Sequence, residues 1–503
     1  MTTEPILPGF HPDPSICRLG DDYFLVNSSF EYFPGVPIFH SKNLLDWTQI
    51  GNVLDRETQL NVRPGITGAG GGIYAPTLRY HDGEFWLATT NITDIRRGHL
   101  IVRAKDPAGP WTEPVYTTGA VGVDPDLSWD GEGTCHLTWS HPMAGIFHAT
   151  VDPATGELQS TPHELWKGTG LAHPEGPHLF QRNGWWYLLV AEGGTHHGHS
   201  VSIARSRTIE GPFQGHPQNP IFSHRSTPHA IQNTGHADLV ERTDGTWAMV
   251  YLGVRPRGSF PKYHVNGRET FLAGVDWVED WPVVRPEAFD PPRVETSFRD
   301  NFSTNELHPR WISPGVNPRS FTTRDGESGL ILSEGRGVEE TEAVKLLAVR
   351  ARDPEWTAVA TIPDGDAALV VRIDDQHWAG VERCGNHLKV RLVVGPLDQE
   401  LAVQDGVFPE SPLAIRSVGP EAGHRFRSGP DTLELGYLRN NQFCRLASVD
   451  GRYLSTEVAG GFTGRVIGVE ALGSPAKISS FEYQGFPASE IRETSLETTA
   501  ATP

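Results

Sequence analysis

Over residues 1–294 the apolar positions fall in short runs bounded by turn signals, and a sustained 3.6-residue period is absent. Tyr187-Leu-Leu-Val-Ala and Ala248-Met-Val-Tyr-Leu are two such runs, and Asp82-Gly83, Asn183-Gly184 and Asp244-Gly245 punctuate the stretches around them. The pattern predicts β-hairpins. One phrase precedes five of them: a small or polar residue, Pro or Ala, one further residue, then Leu or Ile. It reads Asp13-Pro-Ser-Ile, Ala75-Pro-Thr-Leu, Asp124-Pro-Asp-Leu, Gly176-Pro-His-Leu and His236-Ala-Asp-Leu, recurring at intervals of about 50–60 residues. Radial repetition of one hairpin-bearing unit predicts a five-bladed β-propeller over 1–294. A weaker repeat places Trp47, Trp111 and Phe213 after their hairpins, where they are expected to pack the outer edges of blades.

The pattern changes after Trp281-Pro-Val-Val. Arg285-Pro-Glu-Ala-Phe-Asp-Pro-Pro-Arg293 is too rich in proline for a central strand and reads as a linker. Beyond it, stretches such as Leu388-Lys-Val-Arg-Leu alternate strictly, which means one buried and one wet face. This predicts a β-sandwich of jelly-roll, concanavalin-like type over 295–487, making the chain all-β. Residues 488–503 carry too little apolar surface to fold and are expected to form a disordered tail.

Composition narrows the partners. Lys plus Arg number 42 against 62 Asp plus Glu, a formal charge of -20 without a basic cluster, so nucleic acid and anionic membrane are excluded as natural partners. The N-terminus has neither a basic nor an apolar signal region, and no apolar run is long enough to span a bilayer, so a cytoplasmic location is expected. Cys17, Cys135, Cys384 and Cys444 lack Cys-x-x-Cys spacing and are expected to be free thiols.

The repeat also superimposes unlike residues. One corner of the unit carries Asp13 in the first copy, Asp124 in the third and, one residue earlier, Glu175 in the fourth. If equivalent corners converge, three carboxylates meet in one pocket. Two acids facing across a sugar ring are what glycoside hydrolysis needs, and a third can hold the acid's pKa up by like-charge repulsion. Asp126 is a rival to Asp124, but its place in the phrase favours Asp124. Glu192 is read as a structural hydrogen-bonding acid, and His196-His-Gly-His199 as a polar rim loop.

Gly9-Phe-His-Pro-Asp-Pro-Ser-Ile16, Ser28-Ser-Phe-Glu-Tyr-Phe-Pro-Gly-Val36, Gly72-Ile-Tyr-Ala-Pro76, Glu175-Gly-Pro-His-Leu179, Ala191-Glu-Gly-Gly-Thr195, Gly235-His-Ala-Asp-Leu239 and Gly267-Arg-Glu-Thr-Phe271 together resemble family 43 glycoside hydrolases, in the β-xylosidase and α-L-arabinofuranosidase branch. The resemblance implies an inverting hydrolase with Asp13 as general base, Asp124 as the residue that tunes and orients the acid, and Glu175 as general acid. It also implies that Phe30, His236 and Arg268 line the sugar pocket, with Tyr74 where relatives often carry Trp. No cofactor is implied as required, although a divalent cation such as Ca²⁺ beside His236 stays open, as does homo-oligomerisation. The expected substrate is a short xylo-oligosaccharide losing a terminal β-D-xylosyl residue. An α-L-arabinofuranosidase is the alternative, and a non-catalytic sugar-binding propeller is the reading from another class.

Overall fold

The computed structural model describes residues 4–62, 68–326, 328–334, 344–407, 410–420 and 428–488. All but the first residue of the expected tail at 488–503 lies outside them. Among the described residues the structure is all-β apart from short helical turns, and no helix is long and apolar enough to cross a membrane.

Each copy of the repeated phrase opens an antiparallel sheet. The first sheet comprises Ser15–Leu19, Asp22–Val26, Gly35–Ser41 and Thr48–Leu54. The second comprises Thr77–His81, Glu84–Thr89, Leu100–Ala104 and Val115–Tyr116. The third runs through Val123–Trp129, Cys135–His141, Gly145–Asp152 and Glu157–Leu158, with His163–Trp166 also paired to Gly145–Asp152. The fourth contains Glu175–Arg182, Trp185–Glu192, Ser200–Ser206 and Gln214–Gly215, and the fifth Gln232–Glu241, Trp247–Val254, Glu269–Val278 and Trp281–Arg285. Asp82-Gly83 and Asn183-Gly184 both have positive φ at the two central turn positions, the geometry that lets a two-residue hairpin follow the strand twist. Trp111 is buried in the apolar core shared by the first two sheets, and Phe213 packs on that of the fourth.

The opening strands of successive sheets touch one another, first to second, second to third, third to fourth, fourth to fifth, and fifth back to first. Side chains at one position of the phrase stitch them together. Ser15 Oγ accepts from the Leu78 amide at 3.1 Å, Asp126 Oδ2 from the Leu179 amide at 2.7 Å, and Asp238 Oδ2 from the Ile16 amide at 3.0 Å. Arg79 lies between Asp126 and Asp238, 2.8 and 2.9 Å away, and its Nη2 is 2.9 Å from His178 Nδ1. These buried charges are therefore paired, as burial demands.

The second part packs two six-stranded antiparallel sheets face to face over a core containing Trp356, Leu369, Ile415, Leu435 and Ile467. Glu355–Thr361 alternates strictly in burial, as a one-sided strand should. Val466–Ala471 is buried throughout. The cause is a second covering layer: Phe10 and Tyr32 pack against Ala348, Ala368, Val370, Trp378 and Val466 on the far face of that sheet. Ser313–Pro314 also pairs with Tyr32–Phe33, and Arg350 Nε donates to the Phe10 carbonyl at 3.0 Å. Phe10 and Tyr32 are both at 0% exposure, and each such ring contributes on the order of 2–3 kcal/mol through burial.

Candidate active site

Backbone geometry sets the site before any side chain does. Asp13, Asp124, Gly176 and His236 hold the same place in four copies of the phrase, and all have left-handed φ, between 45 and 56°. Three of the four precede a proline, and left-handed φ is uncommon for a non-glycine residue, so the shared conformation is a marked departure. Strand pairing slips beside three of them, between Val123 and Asp126, between Glu175 and His178, and between Gly235 and Asp238. Such bulges re-aim the side chain they carry. Only glycine fits at 176, because a Cβ there would stand 2.8 Å from His236 Nε2.

Asp13 is almost fully enclosed. Arg268 Nη1 donates to its Oδ1 at 2.9 Å and Ser28 Oγ to its Oδ2 at 2.5 Å, while His236 Nδ1 lies 3.7 Å from Oδ1. Burial would raise its pKa, but the Arg268 charge and the Ser28 hydrogen bond outweigh burial and bring it below the ordinary carboxylate value. Asp13 is thus held as an anion. Arg268 in turn donates to Thr195 Oγ1 at 3.0 Å.

Asp124 accepts from the Gly176 amide at 3.1 Å. Burial, then the charges of Glu175 and Asp13, push its pKa well above the ordinary value. Glu175 is the more open acid, its side chain 23% exposed against 6% for Asp13. Burial raises its pKa too, but the contact with His199, by hydrogen bonding and by charge, and the nearby His236 bring it down. The carboxyl raised by like-charge repulsion is therefore Asp124, where the sequence suggested Glu175.

His199 explains the difference, and its reading as part of a polar rim loop is corrected. His196 and His197 are exposed, but His199 is fully buried, with Nε2 3.4 Å from Glu175 Oε1 and Nδ1 3.1 Å from the Asn233 carbonyl. A carbonyl only accepts, so Nδ1 carries a hydrogen. The other ring nitrogen, Nε2, is turned toward the Glu175 carboxylate.

Aromatic rings cluster beside Arg268, the partner of Asp13. Phe30 is fixed by reciprocal backbone hydrogen bonds with Ile73 at 2.9 and 3.0 Å, and Gly72 allows the approach, since a Cβ there would fall 2.1 Å from the Phe30 carbonyl oxygen. Tyr74 meets Phe30 edge-on at 5.7 Å, and its phenol pKa is pushed up to about 12 by burial and by Asp124, so it remains protonated. The third ring comes from the second part of the chain. Phe462 stacks on Phe30 at 5.8 Å, meets Tyr74 at 5.9 Å, and lies 5.4 Å from the Arg268 guanidinium carbon. Hydrogen bonds from the Arg465 amide to the Val265 carbonyl and from the Thr456 amide to the His264 carbonyl hold its loop in place. Nothing in the sequence pattern signalled Phe462.

Asp126, the rival acid, sits one position deeper, paired with Arg79 and the Leu179 amide. Glu192 is fully buried and accepts from the Thr169 amide and hydroxyl at 2.7 and 2.8 Å, a loop clamp. Burial pushes the pKa of His236 down to about 4, leaving it neutral. The surroundings of His236 do not fit Ca²⁺, which takes six to eight oxygen ligands. Its carboxylate neighbour Asp13 is engaged by Arg268 and Ser28, and the deeper acids Asp126 and Asp238 are matched by Arg79. A cavity of about 570 Å³ opens beside Glu175, lined by His141, Met143, Glu164, Lys167 and His173 among others.

Comparison with known proteins identifies the family of both parts of the chain. Residues 2–282 match the glycosyl hydrolases family 43, and residues 299–484 match the β-xylosidase C-terminal concanavalin A-like domain. A xylosidase/arabinosidase of Butyrivibrio fibrisolvens is 34% identical over 98% of this chain and 100% of its own. A non-reducing end α-L-arabinofuranosidase of Bacteroides ovatus is 34% identical over 95% of this chain and 94% of its own. The crystal structure of a xylan β-1,4-xylosidase from Bacillus halodurans superimposes with a TM-score of 0.82 at 30% identity, over 95% of this chain and 99% of that one.

Proposed function

The chain belongs to the glycosyl hydrolases of family 43, and from that premise we propose that it is an inverting exo-glycosidase releasing terminal β-D-xylosyl residues from short xylo-oligosaccharides. The observation that carries this reading is the contrast between the two flanking acids: Asp13 nearly buried and held anionic by Arg268, Glu175 more open, facing His199 and beside a cavity. Asp13 takes the role of general base, removing a proton from the attacking water. Glu175 takes the role of general acid, protonating the departing oxygen of the sugar seated toward Met143 and Lys167. Asp124, fixed by the Gly176 amide, orients Glu175 and resists its ionisation.

Phe30, Tyr74 and Phe462 offer a closed apolar wall to a pentose ring, Arg268 a forked donor for vicinal hydroxyls, and neutral His236 a hydrogen-bonding floor. Such closure favours cleavage at a chain end. The ring of contacts between opening strands supports a five-bladed propeller over 1–294, as does the reciprocal amide–carbonyl pairing of Leu7 with Thr270, which joins the N-terminal segment to the fifth sheet. The accessory sandwich is assigned to 295–487. Free cysteines at 17, 135, 384 and 444 are compatible with a reducing cytoplasm.

The test is hydrolysis of p-nitrophenyl β-D-xyloside against the α-L-arabinofuranoside, with NMR of the earliest product from xylobiose. The proposal expects the xyloside to be preferred and α-xylose to appear first. Preference for the arabinofuranoside would shift the substrate assignment, early β-xylose would overturn inversion, and no turnover of either glycoside would favour a binding propeller.

A further inference from the structure

Away from the acids, three histidines stand side by side on adjacent strands of the third sheet. His148 is the direct cross-strand partner of His163, and Thr138, two residues from His136, is its partner on the other side. Alternation along a strand therefore puts all three imidazoles on one face. Glu210, from the segment following Ser200–Ser206 in the fourth sheet, reaches over them, with Oε2 2.9 Å from His163 Nε2 and 3.8 Å from His148 Nδ1. His136, His148 and Glu210 each bring a donor atom within 4.8 Å of the others.

The hydrogen bonds fix where the lone pairs point. Asp130 Oδ2 lies 3.2 Å from His136 Nε2, so that nitrogen carries the hydrogen and His136 Nδ1 is left as an acceptor. His136 Nδ1 is 2.9 Å from His148 Nε2, which must then donate. His148 Nδ1 is left with a lone pair. The ring is fully buried, Nδ1 finds no hydrogen-bond partner, and the nearest charged group is the Glu210 carboxylate, itself an acceptor. A buried lone pair facing a carboxylate calls for a cation between them.

We infer that His148 Nδ1, His163 Nε2 and Glu210 form a binding site for a divalent transition metal of the Zn²⁺ class, clipping the third sheet to the fourth. The distances from Glu210 Oε2 to the two ring nitrogens, 2.9 and 3.8 Å, bracket the ligand spacing, about 3.3 Å, of a tetrahedral ion with bonds near 2.0–2.1 Å. The His148 and His163 ring centroids are 5.2 Å apart and their planes nearly perpendicular. The Asp130–His136 relay supplies the outer hydrogen bond that ligating histidines characteristically make. Two imidazoles and a carboxylate suit Zn²⁺ better than Ca²⁺ or Mg²⁺, which prefer all-oxygen sets.

The experiment uses the full-length protein, stripped with chelator and titrated with ZnCl₂ by calorimetry and with Co²⁺ by visible absorption. The inference expects one equivalent of metal, a d–d spectrum typical of tetrahedral coordination, and a raised thermal midpoint. His148→Gln should abolish binding. Glu210→Gln changes a half-exposed side chain, so the fold is retained, and it should weaken binding tenfold or more. His197→Ala should leave binding unchanged. A flat wild-type titration up to about 1 mM metal overturns the inference. So does binding that survives Glu210→Gln unaltered or is lost with His197→Ala, since either places the ion elsewhere.

Discussion

Asp13 and Glu175 occupy nearly equivalent corners of the repeat, yet their surroundings are opposite. Asp13 has a guanidinium, a hydroxyl and an imidazole turned toward it and is almost fully enclosed. Glu175 has one imidazole at 3.4 Å, a carboxylate neighbour, and a cavity at its edge. A repeat supplies positions, and neighbours supply chemistry. The first carboxyl is nearly buried among donors that stabilise its anion, while the second stands more open at the edge of a cavity that a leaving group can enter. That difference is what a base and an acid on opposite faces of a sugar require.

Removing the enclosed acid should have the largest effect. Asp13→Ala is expected to lower kcat by a factor of about 10²–10⁴ on natural and aryl xylosides alike, because loss of a general base does not depend on the leaving group. Steady-state kinetics on both substrates checks this, and a loss confined to one would break the comparison. The wall of the recess comes next. Phe462→Ala should lower kcat/KM about tenfold, chiefly through KM, since a stacking wall holds ground and transition states alike. An unchanged KM would mean that the loop merely covers Arg268.

The smallest and most diagnostic effect concerns Asp124. Repulsion between Asp124 and Glu175 is mutual, so the charge that raises one carboxyl also opposes ionisation of the other. Asp124→Asn removes that charge, Glu175 then gives up its proton at lower pH, and the alkaline limb of the kcat/KM profile should move downward. A limb that stays in place or moves upward would remove Asp124 from the control of the acid.

The repeat made the three acids legible because superimposing the copies distinguishes Asp13, Asp124 and Glu175 from ordinary Asp-Pro turns. It also made Asp126 ambiguous, since only the third dimension shows that its position in the phrase points toward Arg79 and the next strand's amide. His199 was hidden by its company: two exposed histidines precede it, and its burial follows from its place immediately before Ser200–Ser206. Phe462 had no local signal at all. Its role arises from a loop fixed by contacts with His264 and Val265, almost two hundred residues away in sequence. The continuous burial of Val466–Ala471 has the same origin, because a strand's pattern cannot announce that a second layer will cover its outer face.

The division of labour between the acids is tested most directly by Glu175→Ala, compared on xylobiose and on an aryl β-xyloside with a low-pKa phenol. Xylobiose leaves as a strongly basic alkoxide and needs the proton, whereas the phenol departs without it. The expected result is a fall in kcat/KM of about 10³-fold or more for xylobiose and within about tenfold for the aryl substrate. Equal losses on the two substrates would contradict the assignment of Glu175 as the acid and, with it, the contrast between the two corners.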